Sequence, residues 1–298
     1  MHRTASDPSP DSPSAGKESG ASDDYRIAIL GGGHLGRAFV AGLIRSGMEA
    51  YRIRIGEPDA TRQLSLERDY GVVALADNRD VVEQADVVLV AVRPTALAAV
   101  LPPLQGSWGT RRRLLVSLAA GAMITHLRQW IPGSVTVARA MPNLAVELGQ
   151  GVIALYIPDP VAKVDRMLLE GLFGRLGRLF WLREESLLNM VTALSGSGPA
   201  YFFYFMEQLE TAAHALGMER DMARALILGT GAGSMALAQE AKGAFQTLRE
   251  QVTSPGGTTA AALTHLAQPD FSDSIVAAVR AAYERTRDLV DPQSETNP

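Results

Sequence analysis

Two stretches of this chain carry residue types and spacings that can do chemistry. Toward the C-terminus, Ser254-Pro255-Gly256-Gly257-Thr258-Thr259 precedes a run of small apolar residues that reads as a helix. Pro255 ends the extended segment before it. Gly256 and Gly257 permit backbone shapes closed to other residues. Thr258 and Thr259 then start the helix, where N–H groups have no intrahelical partner. Ser254, Gly257 and Thr258, with the helix dipole behind them, make a concavity suited to a carboxylate. Plain helix capping is the competing explanation, although one Ser or Thr would serve for that. Near the other end, an apolar run over 25–30 is followed by glycines at 31, 32, 33 and 36 and then by a helical pattern. Gly31, Gly33 and Gly36 fit G-x-G-x-x-G in the strand-turn-helix setting the motif requires, with His34 and Leu35 inside it. The helix N-terminus behind such a turn attracts a pyrophosphate, so the stretch predicts a dinucleotide site. A tight turn without a ligand is the alternative. A phosphate loop of the Walker type is excluded, because Arg37-Ala38 follows Gly36 instead of Lys-Ser or Lys-Thr.

These residues need elements to position them. Residues 51–56, 71–74, 85–92, 113–119 and 135–140 read as short, nearly continuous Val/Ile/Leu strands, with helical stretches such as 59–69 and 95–101 between them. That alternation predicts a parallel sheet of the Rossmann type covered on both faces, with ligands beyond the strands' C-terminal ends. Val92-Arg93-Pro94, the segment 117–121 with Ala119, and the segment 138–143 with Met141, Pro142 and Asn143 lie at those ends and are the expected cofactor rim. At the end of the second strand Glu57 is placed to accept hydrogen bonds from both ribose hydroxyls of a dinucleotide, with Arg54 or Arg62 able to offset its charge. A solvated acid at a strand end is the competing explanation. Strands over 151–157 and 177–182 and a helix over 161–173 extend this α/β region to residue 184. Beyond it 3.6-residue apolar spacing dominates, predicting an all-α region over 185–290. A helix over 194–217 carries Tyr201, Phe202, Phe203, Tyr204 and Phe205, an apolar surface on every side that its own domain or another subunit must cover. The glycines of Gly229 to Ser234 fall among helical residues and are expected to serve close helix packing.

Composition narrows the classes. The chain has 298 residues, 47% hydrophobic and 20% charged, with a net charge of −4, so no general affinity for nucleic acid is expected. Without cysteine it has no disulfide, thiolate nucleophile or Cys-bound metal, and its five histidines lack metal-ligand spacing. No apolar run reaches the length of a membrane span. Residues 1–24 and 291–298 are poor in core-forming groups and read as disordered tails on a cytoplasmic protein, so deleting the first tail is expected to leave activity and melting temperature unchanged.

VTALSGSGPAY (191–201) and LREQVTSPGGTTAAAL (248–263) resemble the two most characteristic segments of the pyrroline-5-carboxylate reductase family, and GGGHLG, AVRP, SLAAG and RAMPN are similar to its motifs in the same order. The resemblance spans roughly residues 25 to 290. It implies a Rossmann domain followed by a helical dimerisation domain, homodimers that assemble further into rings, and NADP or NAD as hydride carrier. It also implies reduction of 1-pyrroline-5-carboxylate to L-proline, the last step of proline biosynthesis. Carried over, the family pattern puts the substrate carboxylate on Ser254, Pro255, Gly256, Gly257 and Thr258 and makes Thr259 the catalytic contact, its hydroxyl beside the ring nitrogen. Departures are His34 in the glycine turn, Leu144-Ala145 after RAMPN, and Ala244-Phe245 before SPGGTT. A β-hydroxyacid dehydrogenase is the main rival, but the helix beginning PAYFFYFMEQ has no Lys to serve as its proton donor. A non-catalytic cofactor-binding regulator is the other. Family habit favours NADPH and Glu57 favours NADH, so relaxed use is expected, with Glu57→Ser shifting preference toward NADPH.

Overall fold

The computed structural model describes residues 25–241 and 243–289, so both tails lie outside the described residues. The strand β1 (Ile27–Leu30) and the helix α1 (His34–Arg45) are followed by β2 (Ile53–Gly56), α2 (Ala60–Tyr70), β3 (Val73–Leu75), α3 (Asn78–Val82) and β4 (Val87–Val90). Then come α4 (Leu97–Val100), β5 (Arg113–Ser117), α5 (Ile124–Leu127), β6 (Val135–Met141), β7 (Gly151–Tyr156), α6 (Lys163–Gly174) and β8 (Gly177–Trp181). The strands form one sheet in the order β3-β2-β1-β4-β5-β6-β7-β8. Successive residues of β1 point to opposite faces. Ile27 and Ile29 join a core with Phe39, Ile53, Ile55 and Phe173, while Ala28 and Leu30 join a second with Val88, Val90, Trp108 and Leu115. A strand buried on both faces must be apolar at every position, which is why its sequence does not alternate.

The sheet is parallel, as expected, at every pair but one. β6 and β7 run antiparallel, with Arg139 opposite Tyr156 and Met141 opposite Ala154. Only a single 3₁₀ turn, Leu144–Leu148, lies between them, and a parallel crossover takes a dozen or more residues. β7 and β8 are parallel again because α6 connects them.

After β8 the chain is helical: α7 (Leu187–Val191), α8 (Gly198–Ala215), α9 (Arg220–Glu240), α10 (Phe245–Gln251), α11 (Thr258–Leu266) and α12 (Pro269–Asp288). A π-helical turn over Thr192–Gly196 joins α7 to α8, closed by the Ser197 N–H donating to the Thr192 carbonyl at 2.9 Å. Pro255 therefore follows a helix and a short linker, not an extended segment. The last turn of α12 returns to the sheet, since a Cβ on Gly121 would lie 3.1 Å from both Leu289 Cβ and the Thr286 carbonyl.

These helices bury little of themselves. Gly198 is the buried residue of α8, Ala223 of α9 and Thr286 of α12, while α10 and α11 have none. Phe202, Phe203 and Tyr204 are 52%, 67% and 64% exposed, so the described residues do not cover the aromatic helix. Among the described residues the Gly229–Ser234 glycines make little of the expected close packing. Cβ atoms at Gly229 and Gly233 would meet nothing within 4 Å, and one at Gly231 would meet only Met206 Cε at 3.7 Å.

Candidate active site

The glycine turn is built for close approach. Gly31 has φ +104 and donates its N–H to the Gly56 carbonyl at 2.8 Å, tying the turn to β2. A Cβ on Gly36 would fall 1.9 Å from the Gly31 carbonyl, so helix and turn pack backbone on backbone. Gly33, by contrast, faces open space, and it caps α1 with extended backbone and no side-chain bond to the free N–H groups. Exposed His34 opens the helix and half-buried Leu35 packs inward. An open cradle in front of an uncapped helix N-terminus fits a pyrophosphate. The residues present therefore suit a nicotinamide dinucleotide.

Glu57 is buried beside this turn, immediately after β2. One carboxylate oxygen, Oε2, accepts the Gly32 N–H at 3.0 Å; the other, Oε1, accepts the Asp59 N–H at 3.0 Å and Arg62 Nη2 at 2.9 Å. It is not the solvated acid that a strand end could carry. Arg62, one of the two arginines able to offset it, does so directly. Next to it Asn78 Oδ1 is buried without a partner and fills the space a Cβ on Gly56 would need, at 1.9 Å. Asn78 follows a short strand in a charged loop, and nothing in its local sequence singles it out.

The remaining rim residues sit where the strand ends put them. Val92 and Pro94 are half-buried and Arg93 is exposed after β4, while Ala119 is buried after β5. Past β6, Pro142 is buried and Asn143 braces the β6–β7 corner: its Oδ1 accepts the Val152 N–H and its own N–H donates to the Val152 carbonyl, both at 3.2 Å. Asn143 was expected to hold cofactor, and its side-chain oxygen is already committed to that corner. Met141 reaches the helical region, with Cε 2.5 Å from where a Cβ on Gly196 would stand. The hydroxyl of Ser195, in the π turn, is buried and unpartnered.

Sequence reading missed the pair that locks this joint. Arg139 in β6, its side chain 3% exposed, donates to Glu185 Oε1 at 3.0 Å, and the same oxygen accepts the Ile124 N–H at 2.7 Å. Burial pushes the Arg139 guanidinium below its ordinary range, and Glu185 opposes that shift. Its only signal in sequence was a charged residue inside an apolar strand.

The SPGGTT segment forms the entry to α11. Gly257 caps α11 with extended backbone and no side-chain bond, so neither Ser254 nor a threonine satisfies the helix N-terminus. That counts against plain capping. The Gly257 N–H donates to the Ser254 carbonyl at 3.0 Å, Gly256 has φ +69 and open space around it, and no residue from 254 to 259 is buried. Among the described residues no three acids or histidines converge as a metal site requires, and no helix is long and apolar enough to cross a membrane.

Comparison with known proteins places these features in a family. Residues 185–289 match the family described as pyrroline-5-carboxylate reductase dimerisation, and residues 26–121 match NADP oxidoreductase coenzyme F420-dependent. A pyrroline-5-carboxylate reductase of Vibrio alginolyticus is 37% identical over 266 residues, covering 89% of this chain and 97% of its own. One from Mycobacterium tuberculosis is 36% identical over 286 residues, covering 89% and 96%. A solved pyrroline-5-carboxylate reductase from Coxiella burnetii superposes with a TM-score of 0.79 at 32% identity, covering 90% of this chain and 99% of that one. The chain belongs to the pyrroline-5-carboxylate reductase family.

Proposed function

We propose that this chain reduces 1-pyrroline-5-carboxylate to L-proline with hydride from NAD(P)H, in a site built from the sheet rim of one subunit and the SPGGTT segment of another. The observation that carries it is the N-terminus of α11, bare of any side-chain cap and flanked by exposed hydroxyls of Ser254, Thr258 and Thr259. Family membership and the uncovered faces of α8 and α9 supply the second subunit.

A reduced nicotinamide held at the rim would supply hydride to the imine carbon. Protonation at the ring nitrogen draws that hydride in, and the electron pair of the C=N bond becomes the amine lone pair. The protein's share is placement and charge. Ser254, Gly257 and Thr258 take the carboxylate against the positive end of α11. Thr259 holds the ring nitrogen and thereby sets the carbon that faces the rim. The rival hydroxyacid oxidation lacks its proton donor, because α8 offers no lysine. Dimers are the working unit, and rings of dimers are the extension that the resemblance implies; mass measurement in solution decides their size. The direct test follows NADH and NADPH oxidation by absorbance with pyrroline-5-carboxylate, with proline identified as product. Tight cofactor binding without turnover would leave a regulator and reject this reading.

A further inference from the structure

The adenosine end of the cradle carries more information than the presence of an acid. Resting on the reading that the glycine turn holds a nicotinamide dinucleotide, we infer that this chain selects NADH over NADPH, through a Glu57 carboxylate fixed by Gly32, Asp59 and Arg62. A carboxylate has about four acceptor positions. Three here are taken by donors of the protein at 2.9–3.0 Å, leaving one beside the turn. A ribose hydroxyl can donate into that position, whereas a 2′-phosphate dianion has no proton to give and meets buried negative charge.

The cations that would reverse this preference are engaged. Arg62 is bound to Glu57 through Nη2, so its charge is already shared with the buried acid when a phosphate approaches. Arg79 donates through Nε to both oxygens of Asp77, at 3.0 and 2.9 Å, and holds that carboxyl below the usual range. Arg54 sits within β2, paired with Ala28 and Val73, three residues or about 10 Å back from Glu57 along the strand. The relaxed use expected from sequence left Arg54 and Arg62 free to turn; the structure commits Arg62 elsewhere.

The test is binding, without substrate, so that it stands apart from turnover. Dissociation constants for NADH and NADPH are measured by calorimetry on the full chain, with 5′-ADP and adenosine 2′,5′-bisphosphate as fragment probes. NADH should bind at least tenfold tighter than NADPH, and 5′-ADP tighter than the bisphosphate. Glu57→Gln keeps an acceptor for Asp59 and Arg62 but removes the charge, and should narrow the ratio. Glu57→Ser frees Arg62 and should invert it, and Arg62→Ala on that background should cancel the inversion. If the serine variant does not fold, judged by its melting curve, the glutamine variant decides alone. Equal or tighter NADPH binding by the unaltered chain overturns the inference, as does an unchanged ratio in Glu57→Gln. Turnover with either nucleotide tests the reaction separately.

Discussion

Thr259 is the second residue of α11, exposed and free of any capping bond in its own chain. A hydroxyl that caps nothing can be removed without disturbing the fold, so its loss should register in catalysis alone. Thr259→Ala is expected to lower kcat/KM by roughly tenfold or more, at least ~1.4 kcal/mol of transition-state stabilisation, with NADH affinity and melting temperature near those of the parent. Thr259→Ser should recover much of the loss. Gly257 already has extended backbone, so a side chain there brings no torsional strain, but its Cβ would stand 3.2 Å from the Ser254 carbonyl. Gly257→Val should therefore raise KM by crowding the anion cradle, read from steady-state kinetics. Glu185 obeys different physics. Replacing it with Ala strands the buried Arg139 guanidinium, and breaking a buried pair costs about 3–5 kcal/mol. Denaturant titration should show that loss, and Arg139→Met with Glu185→Leu together should restore a good part of it.

At the scale of elements, glycines mark where two segments touch, and the atom they touch sets the cost of change. Gly36 lies against the Gly31 carbonyl, which is backbone and cannot yield. Gly36→Ala should abolish cofactor binding in calorimetry and lower the melting temperature. Gly196 lies against Met141 Cε, the far end of a flexible side chain. Gly196→Ala should keep the fold, with a melting temperature within a few degrees of the parent, yet lower kcat as Met141 is pushed along the rim. Shortening that side chain, as Met141→Leu, should return part of the rate. A dead loss of folding in Gly196→Ala would show that the π turn tolerates no displacement. Such turns break the regular helical ladder and recur at functional sites; here Tyr201 Oη donates to the Ala193 carbonyl at 2.9 Å across that break.

The whole molecule is incomplete as a single chain. Its helical half exposes Phe203, Leu216, Leu237 and Phe245, and an apolar surface of this kind on a dimerisation region marks where a partner packs. Melting temperature should rise with protein concentration, because association stabilises the folded state by mass action. Phe203→Glu should yield monomers by sedimentation that have lost turnover. A shared site makes a sharper prediction. Gly36→Ala lacks the cradle and Thr259→Ala lacks the hydroxyl, so each alone is impaired. Unfolded together and refolded as hybrids, they should regain about a quarter of parental activity: half of the dimers are mixed, and each mixed dimer holds one intact site of two. No recovery would place both parts of the site in one chain.

By itself the sequence determined the glycine turn, the apolar strands of the sheet, the all-helical second half and the SPGGTT segment. These are local patterns, in which neighbours in the chain dictate backbone shape. Gly31 needs its positive φ whatever lies beyond it, and Ile27 to Leu30 are apolar because both faces of β1 are covered. Other features depend on which distant residues meet, and only the tertiary structure decided them. β7 turns antiparallel because the link from β6 is too short to cross over. Arg62 closes on Glu57, Asn78 fills the space beside Gly56, and Arg139 in a strand finds Glu185 at the start of the helices, 46 residues on. No periodicity encodes such a meeting, since burial and charge pairing are settled only when the elements pack.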